Sequence, residues 1–151
     1  MADDTLINNR KAYHEYTILD TYEAGIVLVG TEVKSLRLGR GNLDGAFARI
    51  EKEQVWLYQF DIQPYDKAFH GNHEAKEVRR LLLNRAEIRK LFSAVQLKGH
   101  SLVALKLYWK NHKLKVLLGV GMGKNARDKR QDIKKADSDR ELDRAMRQRG
   151  H

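Results

Sequence analysis

The sequence contains no cysteine and a single proline. Without cysteine the chain can form neither disulfides nor thiolate metal sites, and this composition fits a cytoplasmic protein. No stretch approaches the ~18 consecutive apolar residues that a membrane-spanning helix needs. The N-terminus carries Asp3 and Asp4 instead of an apolar segment, so we expect no signal peptide. A hydrophobic fraction of 42% is enough for the core of one domain.

The charge balance is strongly basic. Lysine and arginine number 29 against 20 aspartates and glutamates, which gives a formal net charge of +9. A small protein with this charge usually binds an acidic partner, and nucleic acid is a more common partner than membrane headgroups. The composition therefore favours a nucleic-acid-binding protein over a merely basic soluble one.

Catalytic and metal-binding patterns are weak in this sequence. No set of acids, bases and nucleophiles has the arrangement of a hydrolase, and no phosphate-binding loop is present, so we expect no enzymatic activity, no metal and no cofactor. The incomplete candidates are the acid pair Glu23 and Glu32, the loop group His70, His73 and Glu74, and the alternate glycines of Gly119-Val-Gly-Met-Gly123.

Short apolar and alternating segments predict a mainly β-structure with short helices. The run Ile26–Val29 predicts a strand leading into a short helix that ends at Gly39. Asn84 and Glu87 have the spacing of a capping box at the start of another helix. A six-stranded antiparallel, Greek-key-like β-barrel of the oligonucleotide-binding type follows, with an open sheet covered by helices as the alternative. The predicted hairpins join residues 46–50 to 55–62 and residues 102–109 to 114–120.

An aromatic stripe runs along the second predicted strand of the first hairpin. Trp56, Tyr58, Phe60 and Ile62 alternate along the chain, and Pro64 then ends the strand. Alternation of this kind is typical of a strand with one buried face, so we interpret the stripe as barrel core. A platform on which nucleic-acid bases stack is the alternative interpretation.

The composition changes near Gly123, and we divide the chain into a barrel domain, 1–123, and a basic tail, 124–151. The tail holds ten lysines and arginines against six acids, with few large apolar residues. It cannot bury enough apolar surface to offset its ordering entropy, so we predict a segment that is disordered when free. Ser138 and Glu141 match a capping box, which favours folding into a helix on a partner.

Several motifs resemble the SmpB family of SsrA-binding proteins. The resemblance runs in order from about Asn9 to Arg130, and the tail is similar in character. The motifs are Tyr-Glu-Ala-Gly (22–25), Gly-Thr-Glu-Val-Lys-Ser-Leu-Arg (30–37), Arg-Leu-Leu-Leu-Asn (80–84), Leu-Tyr-Trp-Lys (107–110) and Asp-Lys-Arg (128–130).

This resemblance implies an RNA adaptor of trans-translation. The barrel of such a protein binds the tRNA-like part of transfer-messenger RNA, and the tail enters the decoding centre and the empty mRNA channel of a stalled ribosome. A general basic RNA chaperone and an RNA-processing factor are the alternatives. Elongation factor Tu and alanyl-tRNA synthetase are further possible partners, and the protein is expected to be a cytoplasmic monomer.

The resemblance also implies two sets of site residues. The set for transfer-messenger RNA comprises Asn9, Glu23 and Leu82 with their neighbours Lys34, Arg37, Asn84 and Lys124. The set for the ribosomal decoding centre comprises Arg127, Asp128, Lys129, Arg130, Lys134, Lys135 and Met146.

Overall fold

The computed structural model describes residues 4–68 and 71–124, which contain nine strands and three helices. The strands and helices are β1 (Asp4–Asn8), α1 (Arg10–Glu15), β2 (Tyr16–Ile26), α2 (Gly30–Arg37), β3 (Gly41–Asn42), β4 (Phe47–Glu51), β5 (Gln54–Tyr58), β6 (Asp61–Ile62), β7 (Arg79–Leu82), α3 (Arg85–Val95), β8 (His100–Lys110) and β9 (Lys113–Gly123).

Six of these strands close into an antiparallel ring. The order around the ring is β8-β4-β5-β7-β2-β9, and pairing of β9 with β8 completes it. β1 pairs with one half of β8, while β4 pairs with residues of the other half. Strands β3 and β6 form a separate two-stranded sheet. The predicted six-stranded antiparallel barrel is therefore confirmed, with β1 as an additional strand.

The interior of the ring is filled by aliphatic side chains from every strand of the ring. On β9, Leu114, Val116, Leu118 and Val120 all point into this core, as their alternation predicts. Leu36 of α2 is fully buried in the same cluster. A smaller cluster lies outside the ring, where Ala12 of α1 packs on Val103 and Leu105.

The aromatic stripe does not lie on one face, so its interpretation as barrel core is wrong for two of its members. Gln59 has a φ of +64°, and this left-handed residue interrupts the alternation. Before it, Val55 and Leu57 are buried while Trp56 and Tyr58 are only partly buried. After it, Phe60 and Ile62 are buried as expected.

A bulge changes the alternation in β8 in a similar way. The register against β9 shifts between Ala104 and Lys106. Val103 and Leu105 therefore belong to the outer cluster under α1, whereas Leu107 lies in the barrel core. Regular alternation along the strand would place all three on a single face, and the bulge prevents this.

Other boundaries differ from the expected ones because strand pairing extends further than local patterns indicate. The N-terminal segment forms the strand β1, although its polar sequence does not indicate a strand. β2 is a single strand that ends at Ile26, and residues 27–29 lead into α2. Residues 41–45, whose two glycines and turn-forming residues favour a loop, begin with the short strand β3.

The helix α3 begins as predicted. Asn84 Oδ1 accepts a hydrogen bond from Glu87 N over 2.8 Å, and Glu87 Oε1 accepts one from Asn84 N over 3.3 Å, which completes the capping box. Leu91 is fully buried, whereas its neighbour Phe92 is 52% exposed although helical spacing would place it near the core face.

The helix α2 is fixed to the segment before β7 by buried polar contacts. Arg79 and Glu32 form an ion pair in which both residues are 3% exposed. Arg79 also donates to four backbone carbonyl groups, including those of Phe60 and Glu77. The His73 ring contacts Thr31 Oγ1 over 2.8 Å. These contacts hold α2 beside the barrel.

Within the described parts of the chain, no helix has the length and apolar character needed to cross a membrane. The predicted residues of the ribosomal set all lie outside the described residues, namely Arg127, Asp128, Lys129, Arg130, Lys134, Lys135 and Met146. The prediction that the tail is disordered when free and folds on a partner also concerns residues outside the described ones.

Candidate nucleic-acid interface

Glu23 is held on the outer surface of the barrel by two donors from β8. The Tyr108 hydroxyl donates to Glu23 Oε2 over 2.6 Å, and Lys110 Nζ donates to the same oxygen over 3.1 Å. β9 lies between β2 and β8 in the ring, so these side chains reach across an intervening strand. The Glu23 side chain is 35% exposed. Its orientation is therefore fixed while part of the carboxylate faces solvent.

The same contacts keep the carboxylate ionised. The Tyr108 hydrogen bond, with smaller contributions from Lys110 and Lys115, holds the pKa of Glu23 below its ordinary value, although partial burial acts in the opposite direction. Glu23 is thus an acceptor of hydrogen bonds at neutral pH, set among basic side chains.

A recess of about 400 Å³ lies where β2, β7, α2 and the β8–β9 turn meet. Leu82 lines it and is 49% exposed. Arg37 Cζ lies 5.5 Å from the centroid of the Trp109 ring, so the guanidinium group covers the indole. Lys113 and Lys115 supply positive charge at the wall of the recess. The recess thus combines an exposed aliphatic side chain, a stacked cation and two lysines.

Geometry explains why this recess is open. Gly25 pairs with Leu82, and a Cβ atom built on Gly25 would lie 3.3 Å from Leu82 Cβ. Any side chain at position 25 would therefore crowd Leu82 and fill the floor between β2 and β7. Glycine at this position leaves the leucine accessible.

The structure brings together Glu23, Leu82 and Arg37 from the predicted set, on and beside the recess. Lys34 lies elsewhere on α2, with Nζ 5.6 Å from the centroid of the Tyr65 ring. Asn84 caps α3 and is exposed. The backbone of Lys124 donates to the Glu15 carbonyl group next to α1.

Asn9 has a different environment from the other predicted residues, because it is 2% exposed. Its Nδ2 donates to the carbonyl groups of Leu43 and Ala104 over 2.9 and 2.8 Å. Its Oδ1 accepts from Ala12 N over 3.2 Å and so caps α1. The side chain therefore uses its hydrogen bonds within the protein and joins α1 to the barrel.

Replacement of Asn9 with alanine should lower the free energy of unfolding by about 2–4 kcal/mol, because two buried carbonyl groups lose a donor and α1 loses its cap. Urea denaturation measures this loss. Asn84→Ala is the matched control, since it removes an exposed cap and should cost only ~1 kcal/mol. Equal losses for the two variants would contradict the structural role of Asn9.

Metal binding has little support in the described part of the chain, where no group of three or more histidine, cysteine, aspartate or glutamate side chains is placed to hold an ion. His73 Nε2 lies 2.9 Å from the Ile62 carbonyl oxygen, which accepts a hydrogen bond from it. Nδ1 then accepts from Thr31. Both ring nitrogens of His73 are therefore used in hydrogen bonds that hold the loop in place. His70 lies outside the described residues.

Five residues of this surface were missed as site residues at the level of sequence, namely Tyr108, Trp109, Lys110, Lys113 and Lys115. Alternation along the strand places Trp109 toward the core, against which it packs, and Tyr108 and Lys110 on the outer face, but it does not indicate that they belong to a site. The motif Leu-Tyr-Trp-Lys (107–110) was the signal that could have identified the first three, whereas no motif marked the two lysines that follow it.

Comparisons with known proteins identify the family of this chain. The family model described as "SmpB protein" matches residues 6–148. The SsrA-binding protein of Carboxydothermus hydrogenoformans is 51% identical over 144 residues, which are 95% of this chain and 97% of that protein. The SsrA-binding protein of Bacillus subtilis is 51% identical over 142 residues, covering 94% of this chain and 91% of the relative.

A solved structure is also similar. It is described as "tmRNA-SmpB: a journey to the center of the bacterial ribosome", and it is 47% identical to this chain with a TM-score of 0.67. The match covers 80% of this chain and 85% of the other. Matches of this length and identity in sequence, together with the shared barrel, show that the chain belongs to the SmpB family of SsrA-binding proteins.

Proposed function

We propose that this protein binds the tRNA-like part of transfer-messenger RNA and carries it to stalled ribosomes for trans-translation. The observation that carries the proposal is the ionised Glu23, fixed by Tyr108 and Lys110 beside an open recess with a basic rim. The names of the relatives and of the solved complex support the same RNA and the ribosome as partners.

The chemistry of the recess suits folded RNA. A fixed carboxylate accepts hydrogen bonds from base edges or from 2′-hydroxyl groups, which phosphate-binding lysines cannot do. Leu82 offers an apolar surface to an exposed base, and Arg37 on Trp109 presents a guanidinium group for stacking or for phosphate. Lys113 and Lys115 hold the backbone of the RNA. The recess thus combines contacts to bases and 2′-hydroxyl groups with contacts to phosphates that do not depend on sequence.

The remaining parts of the proposal concern the tail and the cellular setting. Residues 1–123 form the RNA-binding domain, and residues 124–151 form a tail that occupies the decoding centre and mRNA channel. The protein itself catalyses no reaction, needs no metal or cofactor, and works in the cytoplasm as a monomer. Contacts with elongation factor Tu and alanyl-tRNA synthetase stay predictions.

Deletion of residues 131–151 should leave the affinity for transfer-messenger RNA within about twofold, because the recess lies wholly in the barrel, and should abolish tagging of stalled chains. A gel-shift titration and a reconstituted tagging reaction measure the two effects. Intact tagging by the truncated protein would contradict the two-sided adaptor.

The salt dependence of RNA binding distinguishes the adaptor from a general basic RNA chaperone. Binding that rests on phosphate contacts alone weakens steeply with salt, at a slope of about −0.9 per contacted phosphate on duplex DNA. The adaptor should still prefer transfer-messenger RNA over competing tRNA at ~200 mM salt, because contacts to bases and shape persist when counterion release weakens. Equal affinity for both RNAs would favour the chaperone.

A further inference from the structure

A second aromatic surface lies on the barrel, on the outer side of β4, β5 and β7. Its residues alternate with the buried ones of the same strands, and we name it the aromatic face. It consists of Phe47 and Arg49 on β4, Trp56 and Tyr58 on β5, and Arg80 on β7. The recess beside Glu23 does not include any of these five residues.

The rings on this face are already stacked. Phe47 and Tyr58 are cross-strand partners whose ring centroids lie 5.4 Å apart with an angle of 8° between the planes. Arg49 Cζ lies 5.4 Å from the centroid of Phe47 and 5.5 Å from that of Tyr58. The Tyr58 hydroxyl donates to Glu51 over 2.9 Å. The pair is therefore held parallel before any ligand arrives.

Trp56 lies between two arginines. Its cross-strand partners are Arg49 on one side and Arg80 on the other, and both arginines are exposed. The indole is only partly buried, so it is available between two guanidinium groups.

A basic recess continues this surface. It has a volume of about 460 Å³ and lies between the β4–β5 turn and the start of α3. Lys52, Arg80, Arg85 and Arg89 line it against the single acidic residue Glu53. Phosphates that follow a base stacked on Trp56 would meet this positive charge.

We propose that the aromatic face is a second RNA-binding surface, which stacks unpaired bases on Trp56 and the Phe47–Tyr58 pair while the basic recess holds the adjoining phosphates. Sequence-tolerant binding of single strands uses this combination of aromatic platforms and a positively charged groove. Arginine beside the rings suits RNA better than an apolar protein partner, because guanidinium groups both stack on bases and pair with phosphate.

Tryptophan fluorescence can test this proposal, because the chain contains only two tryptophans. In the variant Trp109→Phe, Trp56 is the single reporter. Titration with an eight-nucleotide oligoadenylate at low salt should quench Trp56 in a saturable way. Inorganic polyphosphate, which has charge but no bases, should bind the recess without comparable quenching. The proposal is overturned if oligoadenylate does not quench Trp56 or if polyphosphate quenches it equally.

Affinity gives the second measurement, with labelled oligoadenylate and fluorescence anisotropy. Trp56→Ala should weaken binding roughly 5- to 150-fold, the range for loss of one stacked base. Tyr13→Ala is the matched control, because Tyr13 is an aromatic residue of α1 that is 53% exposed outside this face.

Charge reversal provides a variant that leaves the rings intact. Arg80→Glu should weaken binding and flatten the salt dependence, whereas Lys98→Glu, an exposed position after α3, should do neither. Equal effects at the face and at the control positions overturn the proposal. Oligoadenylate has no tRNA-like fold, so this result is independent of the test of the Glu23 recess.

Discussion

Glu23→Arg is expected to weaken binding of transfer-messenger RNA by roughly 10- to 150-fold and to remove its preference over competing tRNA. The change deletes an ionised acceptor, and charge-assisted hydrogen bonds of this kind contribute about 1.5–3 kcal/mol each. It also places a cation beside Lys110 and Tyr108, whose present contacts orient the carboxylate. Competition binding at moderate salt measures both effects.

Two further variants separate specific recognition from charge. Glu23→Gln keeps the shape and an acceptor oxygen but not the ionised form, so it should show an intermediate loss. Glu74→Arg adds the same charge at an exposed position between β6 and β7, and we expect no loss of preference. If Glu23→Arg bound transfer-messenger RNA as tightly and selectively as the parent protein, the recess would not be the recognition site.

Arg79→Ala is expected to lower the free energy of unfolding by about 3–5 kcal/mol, because it leaves the Glu32 carboxylate buried without its partner. Both residues are 3% exposed, so water cannot replace the lost charge. Three backbone carbonyl groups of the segment between β6 and β7 also lose their donor. This loss is a large part of the 5–15 kcal/mol that typically stabilises a domain.

A double-mutant cycle isolates the pair from the rest of this network. Arg79→Met combined with Glu32→Leu removes both charges together and should be less destabilising than the sum of the single changes. Glu77→Ala, which removes an exposed acid and leaves the backbone carbonyl in place, is the control. Additive losses in denaturant unfolding would show that the two charges do not stabilise each other.

Local patterns predicted much of the fold. The capping box at Asn84, the helix α2 and both hairpins were recognisable from a few neighbouring residues, and the alternation of β9 correctly placed four core side chains. The predicted direction of side chains was wrong where an irregular residue interrupts the alternation of a strand. The left-handed Gln59 and the bulge after Ala104 each reverse the direction of the following side chains, and neither leaves a mark in polarity.

The candidate site was predictable only through family motifs. Glu23, Leu82 and Arg37 come from three separate elements, and nothing in composition indicates that they converge. The contact of Tyr108 with Glu23 spans 85 positions of sequence and links two strands that are not neighbours in the ring. Asn9 is a case in which the family resemblance named a site residue whose side chain is buried. It caps a helix, and its amide forms hydrogen bonds within the protein.

The two tight hairpin turns have a common feature. Lys52 and Glu53 have φ angles of +50° and +62°, and Asn111 and His112 have +50° and +63°. Left-handed backbone is unfavourable by ~1 kcal/mol for a residue with a side chain, and turns of this type favour Asn-Gly. Lys52 and Glu53 line the basic recess of the aromatic face, while His112 lines the recess that contains Leu82. Evolution toward greater stability at these turns would thus remove side chains from both surfaces proposed to bind RNA, and under that proposal recognition limits how stable this barrel can become.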